Sequence, residues 1–338
     1  AEFSFKIFSY DEQLHLSNVD PILENLGLNI ISEKTFKLQL NCDDRVWLHD
    51  FSVYRAKKLV RFTPSAKQVF EEAFLAIFNG QVDDDSFNEL VTTAEINWRD
   101  AALLRAYASY LKQIQFGYSV AHIAETLSNN RAICRLLIVY FAKLFDPCLS
   151  ESERRKAKAA RGKLIAAIDS VTILSEDSVL RAYLNLFDAT VRTNYFQPRA
   201  DGALLKSYFS FKFDSTQING MPRPAPRYEI FIFSRQVEGV HLRGGKVARG
   251  GLRWSDRRED YRTEILGLVK AQQVKNSVIV PVGAKGGFVI KQDTSSLDRN
   301  EFRELGIACY KIFIRGLLDI TDNRIGATIS SPISVVKR

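Results

Sequence analysis

Residues 243–291 read RGGKVARGGLRWSDRREDYRTEILGLVKAQQVKNSVIVPVGAKGGFVIK, the densest signal in the chain. Gly244, Gly245, Gly250, Gly251, Gly283, Gly286 and Gly287 are seven of its eighteen glycines. Glycine permits positive φ and close backbone approach, so such a cluster marks tight loops beside a ligand or another segment. Among these glycines stand Arg249, Arg253, Lys275 and Lys285. The spacing predicts a helix opened by Ser255 or Asp256, with Glu259 three residues beyond the latter as a capping partner, and then two short apolar strands, SVIVPV and FVIK. This puts Lys275 near a helix C-terminus, Lys285 in a loop between buried strands, and Arg249 beside the Gly250/Gly251 pair. Cations held on glycine-rich corners between apolar strands form a partly desolvated pocket suited to carboxylates.

Upstream, LLKSYFSFKFD, YEIFIFSR and GVHLR read as strands, and DRNEFRELGIACYKIFIRGLLD reads downstream as an amphipathic helix. Strands alternating with helices predict an α/β domain over 196–338. Residues 63–195 carry helical stripes instead. Val69, Phe70, Ala73, Phe74, Ile77 and Phe78 form one; Leu103, Leu104, Tyr107, Leu111 and Ile114 another; Ile133, Leu136, Leu137, Tyr140 and Leu144 a third; Leu180, Leu184, Phe187 and Val191 a fourth. They predict an all-helical region of six or seven helices whose aromatics are core. Residues 1–62 run strand, helix, strand, strand: Phe3, Phe5 and Ile7 alternate, LSNVDPILENLG places Pro21 near a first turn and Gly27 past the end, and LNIISEKTFKLQL and RVWLHDFSVYR follow. That order predicts a ferredoxin-like α+β unit of the kind that packs or senses small molecules. The fold class is therefore mixed.

The 338 residues hold 47 basic against 39 acidic side chains, a net charge of +8. A nucleic-acid binder would need a basic face with exposed aromatics, whereas the aromatics here fall on apolar stripes; the basic run ERRKAKAARGK at 153–163 reads as one solvated helix face. No run approaches the ~20 apolar residues of a membrane span. Cys42, Cys134, Cys148 and Cys309 lie far apart without CxxC, so neither a disulfide framework nor a zinc site is indicated, and reduced thiols in the cytoplasm are expected. The chain starts AEFSFKIFSY without a signal-peptide pattern and ends SPISVVKR, which reads as a segment of a larger protein. Nucleotide loops fail: Gly239 and Gly244 are followed by Gly245, Lys246 and Val247 rather than GK[ST], and GxGxxG is absent. His15, His49, His122 and His241 have no nucleophile motif beside them.

GGLRW at 250–254, VKN at 274–276 and GAKGG at 283–287, in this order and spacing, resemble the glutamate dehydrogenase family, and the wider run resembles its large bacterial NAD-specific subclass. The resemblance extends more loosely from about residue 196 through GLLDITDN at 316–323, and the earlier regions are similar to that subclass's N-terminal ACT-type and helical segments. It implies oxidative deamination of L-glutamate to 2-oxoglutarate and ammonia. The lysine of GAKGG, Lys285, is then catalytic; Lys275 holds substrate carboxylates; Arg249, where the family commonly has lysine, and Gly250 and Gly251 complete substrate binding. Arginine keeps the charge and adds a bidentate fork. Asp322, or Asp319, is the nearest candidate for the catalytic aspartate. A lysine crowded by cations in an apolar cleft gives up its proton more easily, as a base near neutral pH must. NAD is expected to be bound mainly by a domain outside this chain, which alone would be inactive, with a homo-oligomer and an amino-acid effector in the complete protein. The second reading is a regulatory or oligomerisation module, residues 1–60 sensing an amino acid and 63–195 making oligomer contacts, whose basic residues are not catalytic.

Overall fold

The computed structural model describes residues 2–39, 45–55, 64–199, 202, 205–245, 250–275 and 282–338, with Lys275 described for its backbone alone. The N-terminal part comprises strand β1 (Glu2–Tyr10), helix α1 (Leu16–Asn25) and strands β2 (Leu28–Gln39) and β3 (Arg45–Arg55). Helices α2 (Pro64–Phe78), α3 (Glu89–Thr93), α4 (Trp98–Gln113), α5 (Val120–Asn129), α6 (Arg131–Phe145), α7 (Glu151–Arg155), α8 (Ala157–Ile168) and α9 (Leu174–Ala189) follow. The remainder holds β4 (Thr190–Thr193), β5 (Phe209–Asp214), β6 (Tyr228–Phe233), β7 (Val237–Arg243), β8 (Leu252–Trp254), α10 (Tyr261–Lys275), β9 (Ala284–Ile290), α11 (Arg299–Asp319) and the hairpin strands β10 (Asn323–Ile325) and β11 (Thr328–Ser330). The chain divides into two compact units, Ala1–Arg105 with Leu127–Cys134, and Ala106–Thr126 with Arg135–Arg338.

In the first unit β3 lies between β1 and β2 in an antiparallel sheet. Alternation in β1 turns Phe5 inward, where its ring meets Phe70 at 5.2 Å and Phe74 at 5.0 Å on α2. Pro21 lies inside α1 rather than in its first turn, and Gly27 ends it at φ +79°. In the sequence NCDD at 41–44 reads as a polar turn and Thr63 before Pro64 as a helix cap; 41–44 and Thr63 lie outside the described residues.

The second unit is built on a six-stranded sheet in the order β4-β5-β6-β7-β9-β8. It is antiparallel from β4 to β9, and its last pair, β9 with β8, is parallel. LLKSYFSFKFD alternates in sequence as a half-buried strand would, but both faces of the sheet are covered, and β5, β6 and β7 are nearly continuous buried runs. On one face Phe211 and Phe213 meet Tyr107 and Tyr110 of α4 at 4.7 and 4.4 Å, and Ile265 of α10 fills the space over Gly287. On the other, Ile230, Ile232, Val237, Phe288 and Ile290 pack with Cys309, Phe313 and Ile320 of α11 and its end.

Three expectations change. Val191 belongs to β4 and not to the stripe of α9, so the helical region ends in a strand that joins the sheet. The basic run at 153–163 is two helices, α7 closed at its start by a Ser150–Glu153 capping box, and α8, with Lys156 between them. Helix α10 starts at Tyr261, because Ser255 is used elsewhere and Glu259 pairs with Lys112 at 2.6 Å.

The first turn of α10 is bolted to the sheet by a buried ion pair. Arg262 and Glu229 have side chains 1% and 0% exposed and meet through two bonds of 2.6 and 2.8 Å. Burial works against the charge, and Glu229 outweighs it to hold the Arg262 guanidinium above its ordinary value. Tyr261 donates to Glu238 at 3.0 Å, and the Arg262 amide to Gln113 at 3.3 Å. Removing one member of such a pair strands the other without water. Glu229→Gln is expected to cost about 3–5 kcal/mol in urea unfolding; an unshifted midpoint would mean that solvent reaches Arg262.

Candidate active site

The two glycine motifs are neighbouring strands. β8 pairs in parallel with β9 in the register Leu252–Gly286, Arg253–Gly287 and Trp254–Phe288, and the Gly286 amide donates to the Gly251 carbonyl at 3.2 Å. None of the seven motif glycines adopts positive φ; they serve close approach. A Cβ on Gly250 would stand 1.3 Å from the Ala284 carbonyl oxygen, and one on Gly287 2.3 Å from Cδ1 of Ile265. Any side chain at these positions pushes β8 off β9 or α10 off the sheet.

Lys285 is the second residue of β9, not a loop residue, and is half-buried. It stands opposite Leu242, on the sheet face that α10 covers. Its ammonium lies 3.8 Å from where a Cβ of Gly251 would be, so the lysine of one motif reaches over the bare backbone of the other. The last turn of α10 closes on the same end of the sheet: Gln272 Oε1 is 2.7 Å from the Cβ position of Gly283, and Gln273 Nε2 3.2 Å from that of Gly244. The backbone of Lys275 continues that turn. Arg249, the Lys275 side chain and most of SVIVPV lie outside the described residues.

Asp322 and Asp319 are not brought to Lys285. Asp322 accepts from Arg192 on β4 at 2.8 Å, and Asp319 from Lys206 at 2.5 Å and Asn194 at 3.0 Å. Arg192 faces α11, on the opposite side of the sheet from Lys285, and β4 is four interstrand spacings from β9, roughly 19 Å.

Glu264 is a part that reading the residues missed. Its carboxylate accepts from Arg253 Nε at 2.7 Å and Ser255 Oγ at 2.5 Å, tying β8 to α10 and neutralising one of the motif's cations. The signal was present, a glutamate one turn into a helix behind an arginine-bearing strand, but partner choice depends on how that helix lies over the strand. Among the described residues no group of histidine, cysteine and acidic side chains could hold a metal, and no helix is long and apolar enough to cross a membrane.

The family model for the catalytic domain of bacterial NAD-glutamate dehydrogenase matches residues 163–338, that for glutamate dehydrogenase helical motif 3 residues 82–147, and that for the glutamate dehydrogenase ACT3 domain residues 1–64. The chain belongs to the bacterial NAD-glutamate dehydrogenase family. It is 48% identical over 334 residues to the NAD-specific glutamate dehydrogenase of Halomonas elongata, covering 99% of this chain and 20% of that protein. It is 49% identical over 335 residues to that of Pseudomonas aeruginosa, covering 98% and 21%, and 45% over 336 residues to that of Mycobacterium tuberculosis, covering 96% and 21%. The chain thus spans about a fifth of the length of these curated relatives.

His241 sits opposite Gly286 with its Nδ1 buried and without a hydrogen-bond partner, and burial, then the nearby Arg243, push it down to about 4. The folded protein keeps this ring neutral while the unfolded chain protonates it near 6.5, so the stability present above pH 6.5 is lost as pH falls toward 4. Between pH 7 and 5 the loss is expected to be about 2 kcal/mol. Denaturant titrations over that range should show a slope that flattens in His241→Gln; equal slopes would show that His241 is protonated in the fold.

Proposed function

We propose that the protein is an NAD-dependent glutamate dehydrogenase and that this chain supplies the glutamate-binding, lysine-bearing part of it. The observation that carries the reading is the Lys285 ammonium lying over Gly251 at the end of the sheet where α10 finishes. Glutamate oxidation needs its two carboxylates fixed while the α-carbon is oxidised and the resulting imine is hydrated. Arg249 and Lys275 are the proposed carboxylate anchors, and charge-assisted hydrogen bonds from such cations are the strong kind. Gly250 and Gly251 leave backbone bare where a side chain would fill the approach. Lys285 is the proposed base for the added water. Asp322 and Asp319, paired with Arg192 and Lys206, are read as counter-ions of those cations, which leaves the proton transfer at the amino group unassigned here.

NAD supplies the hydride acceptor in this chemistry. Among the described residues the motif glycines are packed against Ala284, Ile265, Gln272, Val282, Leu252 and His241 or lie under Lys285, and none opens onto a helix N-terminus that could cradle a pyrophosphate. The finer architecture is read as a ferredoxin-like unit over 1–62, a helical region over 63–195 and an α/β substrate domain over 196–338, in a cytoplasmic homo-oligomer with an amino-acid effector at the first unit. The β-α-β-β order of residues 2–55 supports the first of these.

In the full-length protein Lys285→Ala is expected to lower glutamate oxidation about 10²–10⁴-fold, the usual worth of a positioned acid–base group, while NAD affinity measured by fluorescence titration stays the same. Turnover comparable to the parent would remove Lys285 from the mechanism.

A further inference from the structure

A cavity of about 370 Å³ opens between the end of α4, the middle of α9 and the loop at 218–220. That is within the size range of small-molecule sites. Its floor is aliphatic: Leu111 and Ile114 at the end of α4, Leu186 on α9 and Ile218 in the loop are all buried. Gln115 at φ +64° and Gly220 at φ +70° turn the chain at its rim. The end of α4 is closed by the Gln115 amide donating to the Lys112 carbonyl and the Phe116 amide to that of Leu111, each at 3.0 Å. Opposite, the Asn185 carboxamide donates to the Gln217 carbonyl at 2.9 Å and accepts from the Asn219 amide at 2.8 Å, which fastens the loop to α9.

The rim selects against net charge. Arg181 is the ionic residue of the lining, and its guanidinium is held by Asp177 at 2.9 Å and Asp169 at 2.7 Å, so no unmatched positive charge draws an anion. Both carboxylates are in turn engaged by that guanidinium. What the rim offers is carboxamide: Gln115 and Asn219 are exposed, and their side chains make no hydrogen bond among the described residues. A carboxamide both donates and accepts. The complementary molecule has a branched aliphatic body for the floor and a net-neutral polar end that can do the same.

The two walls of the cavity also hold α10. Gln113, next to Ile114, accepts from the Arg262 amide at 3.3 Å, and Met221, next to Gly220, accepts from the Arg262 guanidinium at 3.0 Å. We propose that this cavity binds a small aliphatic molecule with a net-neutral polar end, a carboxamide or an α-amino acid zwitterion, and that its occupancy steadies the start of α10. The site shares no residue with the candidate active site and does not rest on the reaction proposed above.

The test is isothermal titration and thermal unfolding of the full-length protein with isovaleramide and with L-leucine, and with isovalerate and isoamylamine as singly charged analogues at equal ionic strength. At least one neutral probe is expected to saturate and to raise the unfolding midpoint, and the arm that responds tells amide from amino acid. Each charged analogue should bind about tenfold more weakly, the cost of a charge left without a partner. Gln115→Gly, which suits the positive φ, removes one carboxamide and should weaken binding about fivefold, the worth of one neutral hydrogen bond. Ala182→Leu fills the half-buried wall on α9 and should abolish binding, with circular dichroism reporting the fold. Saturation should slow amide exchange over residues 261–265. No saturable binding of either neutral probe, a charged analogue that binds as tightly, or variants that bind as the parent does overturns the site. Unchanged exchange at 261–265 overturns its link to α10.

Discussion

The parallel pairing of β8 with β9 rests on a backbone contact that no side chain tolerates: Gly250 pressed against the Ala284 carbonyl. Most of the arrangement in this half of the protein needs that contact. It brings GGLRW and GAKGG, more than thirty residues apart in the chain, into one ladder, sets Lys285 over Gly251, and lets Gly287 admit Ile265 so that α10 lies flat on the sheet. Hydrophobic burial alone would accept many positions of β8, because a three-residue exposed strand has little apolar area to choose its register. The absence of two or three methyl groups makes the choice.

Charge secures what packing leaves loose. Arg262 and Glu229 pin the first turn of α10, and Glu264 binds Arg253 and Ser255 so that helix and edge strand move together. The far end of the same helix carries Lys275 and closes on Gly283. A rigid start and four helical turns put that end of the helix beside the strand that carries Lys285.

The sheet separates two populations of charge. Lys285 is on the α10 face, while Arg192, Lys212, Arg243 and His241 are on the α11 face. Period-two alternation does this: neighbours in sequence such as Leu242 and Arg243 belong to opposite faces, so a cluster of cations in one stretch of chain does not become a cluster in space. Arg243 thus points away from Lys285, and Arg253 is paired with Glu264.

Residues alone determined the strands β6 and β7, the helices α4, α6 and α11, and the motifs that name the family, because apolar periodicity and glycine spacing are local properties of the chain. Which strand lies beside which was not legible. Val191 continues a helical stripe yet is bent into β4 by pairing with β5, Ser255 looks like a helix cap yet bonds Glu264, and Lys285 looks like a loop residue yet lies in a strand because β7 and β8 supply its hydrogen bonds. Asp322 follows its motif closely in sequence, but the direction in which α11 crosses the sheet delivers it to Arg192. Sequence thus determined which charged groups the glycine-rich stretch carries. Only the tertiary structure decided which of them share a face, because that depends on ladder register and helix direction, neither of which any single segment encodes.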